Sequence, residues 1–213
     1  MCWIIVTTAA VLASGFADEK GRIYRFTKGD VGNVPTGWRA DKTGTGQGSV
    51  WKVVEDDTAP SKSGYVLAQT AEGPNALFNL CVSEDSRFKD GEISVAFKAV
   101  RGKKDQGGGI VWRYQDHDNY YIARMNPLED NYRVYKTVNG KRIQLGTKEG
   151  LSVKPGEWHH LKITMDGDHI QCYLDGEKML DVKDATLASA GKVGLWSKAD
   201  AQTYFDDLSV REK

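Results

Sequence analysis

Residues 158–176, WHHLKITMDGDHIQCYLDG, contain two runs of alternating apolar and polar side chains on either side of a tight turn. The apolar side chains occupy every second position from Leu161 to Met165 and again from Ile170 to Leu174. A period of two is typical of a β-strand with one buried face. Asp166-Gly167 supplies the positive backbone φ that a tight hairpin turn requires. The stretch therefore predicts a β-hairpin that buries one of its faces.

The same period of two continues along most of the chain after residue 90. We expect further strands over residues 93–99, 110–114, 193–195 and 208–210. Turn signals separate such runs, at Asp90-Gly91, Asn139-Gly140 and Asp175-Gly176. No long window has a helical stripe, and the best short-helix candidate is Ala185–Ala190. Strands spaced about 8 to 12 residues apart predict an all-β fold, an antiparallel two-sheet jelly-roll sandwich.

The composition excludes several broad classes of protein. The 213 residues include 29 Lys and Arg and 29 Asp and Glu, so the formal net charge is zero. A nucleic-acid-binding protein usually carries a basic face, and none is expected here. The mean hydropathy of −0.50 excludes a polytopic membrane protein. With 40 % hydrophobic residues, the chain is too apolar to be disordered.

Residues 1–17, MCWIIVTTAAVLASGFA, are uncharged, and three charged residues follow them. The apolar run is shorter than the roughly 20 residues that a membrane-spanning helix needs. Gly15 and Ala17 are small residues placed as in a signal-peptidase site. We interpret residues 1–17 as a signal peptide and residues 18–213 as one exported domain, periplasmic or extracellular, without a membrane span after cleavage. An uncleaved anchor and a buried first strand are the alternatives.

Two cysteines, Cys81 and Cys172, remain after such a cut. An exported protein can oxidise a pair of this kind to a disulfide. Cys172 lies on the apolar side of its predicted strand, whereas Cys81 is out of phase with Leu80 and Val82. We therefore expect the two side chains to face different environments and favour two buried thiols over a disulfide, whose geometry is demanding.

Three segments resemble a known superfamily. They are residues 158–176, residues 108–121 with Gly-Gly-Ile-Val-Trp-Arg and Asn-Tyr-Tyr, and residues 190–207 with Ala-Gly-Lys-Val-Gly-Leu-Trp and Phe-Asp-Asp. Together they resemble the laminin-G-like and concanavalin A-like jelly rolls, and most closely the secreted bacterial domains of the 3-keto-disaccharide hydrolase family. The resemblance implies a two-sheet sandwich. Its functional implication is broad, because lectins, hydrolases and adhesion modules share this sandwich.

No recognisable catalytic motif accompanies this resemblance. The paired carboxylates of retaining jelly-roll glycosidases follow Glu-x-Asp-x-x-Glu, and the nearest match begins at Glu55 but has Pro60 in place of the second Glu. Neither a Gly-x-Ser-x-Gly nucleophile elbow nor a phosphate-binding loop occurs. His159 and His160 are adjacent on a predicted strand, so they point to opposite faces and cannot share a metal. The two other histidines fall in turns.

Two acidic positions are candidate calcium ligands. Asp116 begins the acidic turn of residues 116–119, whose simpler interpretation is a solvated Asx turn. Asp206 shares its parity with Leu208 and Val210, so we expect it to point inward. A buried carboxylate needs a partner, which could be a cation, an arginine or backbone N–H groups.

Outward-facing side chains on neighbouring strands form the strongest candidate for a ligand site. Aromatic rings can stack on sugars, and guanidinium groups hydrogen-bond to hydroxyl or carboxylate groups. The predicted ligand-binding residues are Arg113, Tyr120, Arg124, Arg133, Tyr135 and Trp196. The nearby candidate acids are Glu92, Glu129 and Asp130. An ordinary sheet face with cross-strand ion pairs would have a similar pattern.

These observations favour an exported carbohydrate-binding jelly roll that uses the Arg/Tyr-rich face. The resemblance implies a second hypothesis, a glycoside hydrolase of the 3-keto-disaccharide type, whose catalytic acids would come from Glu92, Glu129 and Asp130. A third hypothesis is a structural or adhesive module that contacts another protein. The absence of a paired-carboxylate motif favours binding over hydrolysis.

Overall fold

A computed structural model describes residues 21–213 as two antiparallel sheets packed face to face. The proposed signal peptide of residues 1–17 lies outside the described residues. The chain order of the fifteen strands is β1 (Arg22–Tyr24), β2 (Trp38–Thr43), β3 (Trp51–Glu55), β4 (Tyr65–Gln69), β5 (Phe78–Ser83), β6 (Gly91–Arg101), β7 (Gly108–Asp116), β8 (Asn119–Asn126), β9 (Asn131–Val138), β10 (Lys141–Glu149), β11 (His159–Asp166), β12 (His169–Leu174), β13 (Glu177–Lys183), β14 (Lys192–Lys198) and β15 (Gln202–Glu212). A single 3-10 turn, Lys28–Asp30, is the one helical element in the described part of the chain.

The strand order is that of a jelly roll. The eight-stranded sheet has the order β13-β12-β11-β6-β15-β4-β3, and β1 also pairs with β15. The seven-stranded sheet has the order β10-β9-β8-β7-β14-β5-β2. All strand pairs within these two sheets are antiparallel. The predicted all-β, two-sheet fold is therefore confirmed.

The hairpin of residues 158–176 forms as its sequence predicts. Strands β11 and β12 pair in the register that places Leu161 opposite Leu174 and Ile163 opposite Cys172. These side chains point into the space between the sheets, where they are buried. Gly167 has a φ of 63°, which explains the glycine at this turn. The hairpin buries its apolar face against the other sheet.

The main core lies between the two sheets and is rich in aromatic rings. Trp112 stacks on Tyr121 with 5.4 Å between ring centroids, and Phe97 packs against Phe205 at 6.1 Å. The predicted inward faces of β7, β8 and β9 all contribute to this core. Each fully buried ring of this kind contributes on the order of 2 to 3 kcal/mol of hydrophobic free energy.

The two cysteines are buried and free, as favoured, but the expectation of different environments is wrong. Cys81 and Cys172 belong to the same core between the sheets. The alternation along β5 did not indicate which side chains are buried, because both faces of this strand are buried. Leu80 and Val82 pack on the opposite face of the seven-stranded sheet, in a second cluster.

We expect the thiols of Cys81 and Cys172 to be unreactive in the folded protein. Burial raises the pKa of both thiols far above the ordinary value, so little thiolate is present near neutral pH. Labelling with an aromatic disulfide reagent should be complete in denaturant and negligible without it. The free energy of unfolding should not change when a reducing agent is added. A decrease in stability on reduction would contradict two free thiols.

The short helix predicted for Ala185–Ala190 does not form. The backbone N–H of Leu187 donates to the hydroxyl of Tyr121 at 3.1 Å, and that of Thr186 donates to Asp184 at 2.9 Å. These side chains take the hydrogen bonds that a helix would make within its own backbone. No helix among residues 21–213 is long and apolar enough to cross a membrane.

Among the bulges in the two sheets, two affect residues that were assigned to sites. Arg113 in β7 and Asp207 in β15 have φ values of 46° and 47°, and the pairing register shifts at both places. An extra residue in a strand reverses the faces on which the following side chains lie. These bulges change the positions of two residues that the sequence assigned to sites.

Candidate functional site

The outer face of the seven-stranded sheet is strongly curled and is called the concave face here. The hydroxyl groups of Thr43 on β2 and Tyr120 on β8 are 2.8 Å apart, although three strands lie between β2 and β8. The guanidinium of Arg142 on β10 lies 4.5 Å from the ring centroid of Phe78 on β5. In a flat sheet, five strand spacings of about 4.8 Å would separate β10 and β5 by roughly 24 Å. The sheet therefore curls until its two sides meet through their side chains.

The floor of the concave face is a second hydrophobic cluster. The side chains predicted to point away from the main core do so, because Ile122, Tyr120, Tyr135 and Trp196 lie on this face. The curl nevertheless buries Tyr120 and Trp196 completely, with 0 % of each residue exposed, and it leaves only 4 % of Tyr135 exposed. The predicted open platform of aromatic rings is therefore wrong for all three residues. Their rings form the buried floor of a trough.

Arg142 covers this aromatic floor and was not identified from the sequence. Its guanidinium carbon lies 4.5 Å from the ring centroid of Tyr135 and 5.7 Å from that of Trp196. Its Nη1 is buried, and no hydrogen-bond partner for it exists among residues 21–213. The Asn139-Gly140 turn is the sequence signal that could have placed Arg142 on the concave face. The hairpin register that follows from this turn pairs Arg142 with Thr137.

A network of charged side chains forms the rim of the concave face. Arg124 donates to Oε2 of Glu129 at 2.7 Å and to Oδ1 of Asn131 at 2.7 Å. Arg133 donates to the same Oε2 of Glu129 at 3.2 Å and to Oε1 of Glu149 at 3.1 Å. The predicted neighbours Arg124, Arg133 and Glu129 thus lie together. Arg124 is buried, whereas Glu129 and Glu149 are open to solvent.

Ion pairing controls the ionisation of the rim. Burial raises the pKa of Glu129, but the charges of Arg124 and Arg133 and the hydrogen bonds outweigh it, so the pKa lies below the ordinary value. Hydrogen bonds from Thr147 and Arg133 lower the pKa of Glu149 in the same direction. Both carboxylates therefore remain ionised well below neutral pH and act as hydrogen-bond acceptors.

A second polar group, also missed by the sequence, lies beside the rim. Asp105 is 1 % exposed and accepts hydrogen bonds from Asn126 at 3.1 Å and from the backbone N–H of Gly107 at 2.6 Å. Its other oxygen pairs with Nζ of Lys198 at 3.2 Å. Asp105 lies in a loop, where the alternation of a strand carries no information about its direction.

Arg113 does not belong to the concave face, contrary to prediction. Its bulge turns the side chain into the end of the sandwich, where the residue is 1 % exposed. The guanidinium donates to the carbonyl groups of Lys89, Leu187 and Gly167 and to the carboxylate of Asp90, each at 2.9 Å. Arg113 therefore ties three loops together, and its burial keeps it from contacting a ligand.

The candidate acids separate in the structure. Glu129 lies in the rim, but Glu92 is on β6 of the other sheet, where it pairs with Lys162 at 3.2 Å. The proposed place of Glu92 near Arg124 is wrong, because alternation does not tell which sheet a strand joins. Asp130 is exposed in the turn before β9 with a φ of 50°, and its carbonyl accepts the N–H of Leu151.

The family model described as "3-keto-alpha-glucoside-1,2-lyase-like domain" matches residues 30–211. The chain belongs to this family. No curated protein matches it. The match to this lyase-like domain confirms the family resemblance that was inferred from the sequence.

Solved structures share the concanavalin A-like fold of the lyase-like domain. The carbohydrate-binding module CBM66 from Bacillus subtilis superposes with a TM-score of 0.65 at 20 % identity, covering 82 % of this chain and 96 % of the module. The Bacillus licheniformis β-glucanase gives 0.58 at 13 % identity, covering 86 % and 96 %. A Bacillus subtilis protein of unknown function with a galectin-like fold gives 0.56 at 13 %, covering 89 % and 98 %. The fold is therefore one that sugar-binding modules and glycoside hydrolases share.

The two predicted calcium ligands of the lyase-like domain have protein partners instead. Asp206 is buried on the outer face of the eight-stranded sheet, opposite Ala96, and accepts the backbone N–H groups of Ser61 and Asp207 at 2.9 Å. The predicted inward direction is wrong, because the bulge at Asp207 reverses the parity. Asp116 accepts the N–H of Asp118 at 2.7 Å in an Asx turn. Residues 21–213 contain no cluster of three or more potential metal ligands.

Proposed function

We propose that the lyase-like domain binds carbohydrate at the rim of its concave face. The observation that carries this proposal is the network in which Arg124 and Arg133 hold Glu129 at the edge of an aromatic trough. Neighbouring sugar hydroxyl groups both donate and accept hydrogen bonds. A fixed carboxylate beside a fixed guanidinium complements such a pair of hydroxyl groups. The apolar faces of a sugar ring could contact the partly exposed ring of Phe78 and the stem of Arg142.

The protonation states favour binding over hydrolysis. A glycosidase needs one carboxylic acid that is protonated near neutral pH to donate to the leaving oxygen. The pKa values of Glu129 and Glu149 are both lowered, which disfavours both residues as the proton donor. An ionised carboxylate is, however, the form that accepts sugar hydroxyl groups.

The family match supports a second candidate function, the lyase reaction on a 3-keto-glucoside. In that elimination, a base removes the proton from C2, which the neighbouring keto group acidifies. A C1–C2 double bond forms as the bond from C1 to the leaving oxygen breaks, and the leaving oxygen takes up a proton from water. Glu129 is the carboxylate of the rim that would act as the base. Its lowered pKa makes it a weak base, which is why we rank this function second.

Replacing Glu129 by glutamine should weaken sugar binding about 10- to 100-fold, because a charged hydrogen bond contributes roughly 1.5 to 3 kcal/mol. The ligand would first be found on a glycan array, with and without EDTA, and its affinity measured by calorimetry. Glu92→Gln is the matched control, since it removes an ion-paired carboxylate from the other sheet. The affinity of this control variant for the sugar should change less than about twofold.

The sugar affinity should also depend on pH through Glu129. Because the pKa of Glu129 is lowered, binding should persist down to about pH 5 and be lost only as the pH falls below the ordinary carboxylate range.

Other outcomes select between the remaining hypotheses. Turnover of a 3-keto-glucoside that disappears in Glu129→Gln would establish the lyase function in place of simple binding. Loss of binding with EDTA would add calcium to the site. Neither binding nor turnover on any glycan would leave the protein-interaction module as the better hypothesis. Export of residues 18–213 remains a prediction from the first 17 residues.

A further inference from the structure

A cleft of about 560 Å³ lies beside the concave face, behind the loop that joins β6 to β7. Arg101, Lys103, Lys104 and Gln106 of this loop line it, together with Glu72. Its walls are mostly long polar side chains. Nothing in the concave-face network uses these side chains.

The cleft has an excess of positive charge. Within residues 21–213, no carboxylate pairs with Arg101, Lys103 or Lys104. The carboxylate of Asp200 lies in the same wall, but the backbone N–H groups of residues 103–105 already donate to it at 2.9 to 3.2 Å. Glu72 is therefore the one acid of the wall with both oxygens available. Three cations and two acids leave one net positive charge in the wall, which favours an anionic ligand.

One loop separates this cleft from the rim. Lys104 and Gln106 line the cleft, while Asp105 between them turns to the other side and contacts Asn126 and Lys198 beside the concave face. The loop is held at both ends, by Asp200 and by a hydrogen bond from Gln106 to the carbonyl of Gly102 at 3.0 Å. An extended oligosaccharide that contacts both the rim and the cleft therefore has to cross this loop.

We infer that the cleft is a second subsite for the anionic part of an oligosaccharide whose other end binds at the rim. The inference rests on the proposed function. It specifies the ligand as an acidic oligosaccharide carrying carboxylate or sulfate groups. The rim agrees with this charge, since Arg124, Arg133 and Arg142 face two carboxylates, Glu129 and Glu149. One positive charge there lacks a counterpart.

The test compares three probes by calorimetry at two salt concentrations: oligogalacturonate, a heparin oligosaccharide and a neutral galactan oligosaccharide of the same length. The cleft variant is Arg101→Gln/Lys103→Gln/Lys104→Gln. The matched control is Lys28→Gln/Lys89→Gln/Lys183→Gln, which removes three exposed cations elsewhere. Because exposed charge pairs contribute up to about 1 kcal/mol each, the cleft variant should bind an anionic probe roughly tenfold or more weakly, with a smaller salt dependence. The galacturonate and heparin arms distinguish carboxylate from sulfate.

The outcomes separate this inference from the proposed function. Neutral and anionic probes of equal affinity, both dependent on Glu129, would overturn the second subsite and keep the rim. A cleft variant that loses neutral and anionic probes equally, or neither, would also overturn it. Should the triple variant unfold, Lys103→Gln alone gives the same comparison with a smaller effect. Absence of binding by all three probes and by every array glycan would remove the proposed function itself, and the inference with it.

Discussion

Replacing Arg113 by alanine should lower the free energy of unfolding by about 3 to 5 kcal/mol. The guanidinium is buried and donates to three carbonyl groups and to Asp90. Alanine would remove all four hydrogen bonds, which join three loops through partly buried acceptors, and would leave a cavity in place of a buried side chain. Urea denaturation followed by tryptophan fluorescence measures the change.

Two control variants test whether the loss of stability comes from the hydrogen bonds of Arg113. Arg25→Ala removes an arginine from an exposed ion pair with Asp207 and should cost less than about 1 kcal/mol. Arg113→Lys keeps the charge but cannot make the forked set of hydrogen bonds, so it should fall between alanine and the parent protein. Folded Arg113→Ala should still bind sugar. Nearly equal stabilities for Arg113→Ala and Arg25→Ala would contradict the structural role.

Replacing Gly109 by alanine should cost about 2 to 3 kcal/mol of stability and weaken sugar binding about tenfold. Gly109 on β7 lies between Arg124 and Trp196 in neighbouring strands. A Cβ atom there would lie 2.2 Å from the carbonyl oxygen of Ala123 and 2.8 Å from Cα of Arg124. Strand β8 would have to move away from β7. Arg124 would move with it, and the hydrogen bonds from Arg124 to Glu129 and Asn131 would be disturbed.

The matched control is Gly29→Ala, because the nearest atom to a Cβ at Gly29 is 3.7 Å away. That variant should differ from the parent protein by less than about 0.5 kcal/mol and bind sugar equally well. Calorimetry and urea denaturation of both variants supply the comparison. A Gly109→Ala protein with unchanged affinity would mean that Arg124 does not position the ligand.

The sequence predicted many of the strands after residue 90 and most of their faces, since a half-buried strand has an apolar side chain at every second residue. Tyr121 and Met125 point inward, and Arg124 outward, as the alternation indicates. The alternation fails at the bulges in β7 and at Asp207 in β15. Arg113 and Asp206 were both assigned a direction that one extra residue reverses, and no composition signal marks that residue.

The site was predicted in part. Arg124 and Glu129 are five positions apart in the chain, so their proximity follows from one turn. The curl that buries Tyr120 and Trp196 and carries Arg142 across the trough depends on the twist of seven strands together, which no local pattern contains. Glu92 was misplaced for a similar reason, because the sheet to which a strand belongs is a property of the whole topology.

The position of β15 in its sheet also constrains the order in which the strands can pair during synthesis. It pairs with β6 on one side and with β4 and β1 on the other, so it completes the middle of its sheet. On the ribosome, residues 202–212 emerge after every other strand of this sheet. Until then β4 and β6 present unpaired edges, which invite association with other chains, and the non-local pairings that close them form slowly. The native pairing of this sheet can therefore be completed only after β15 has been released.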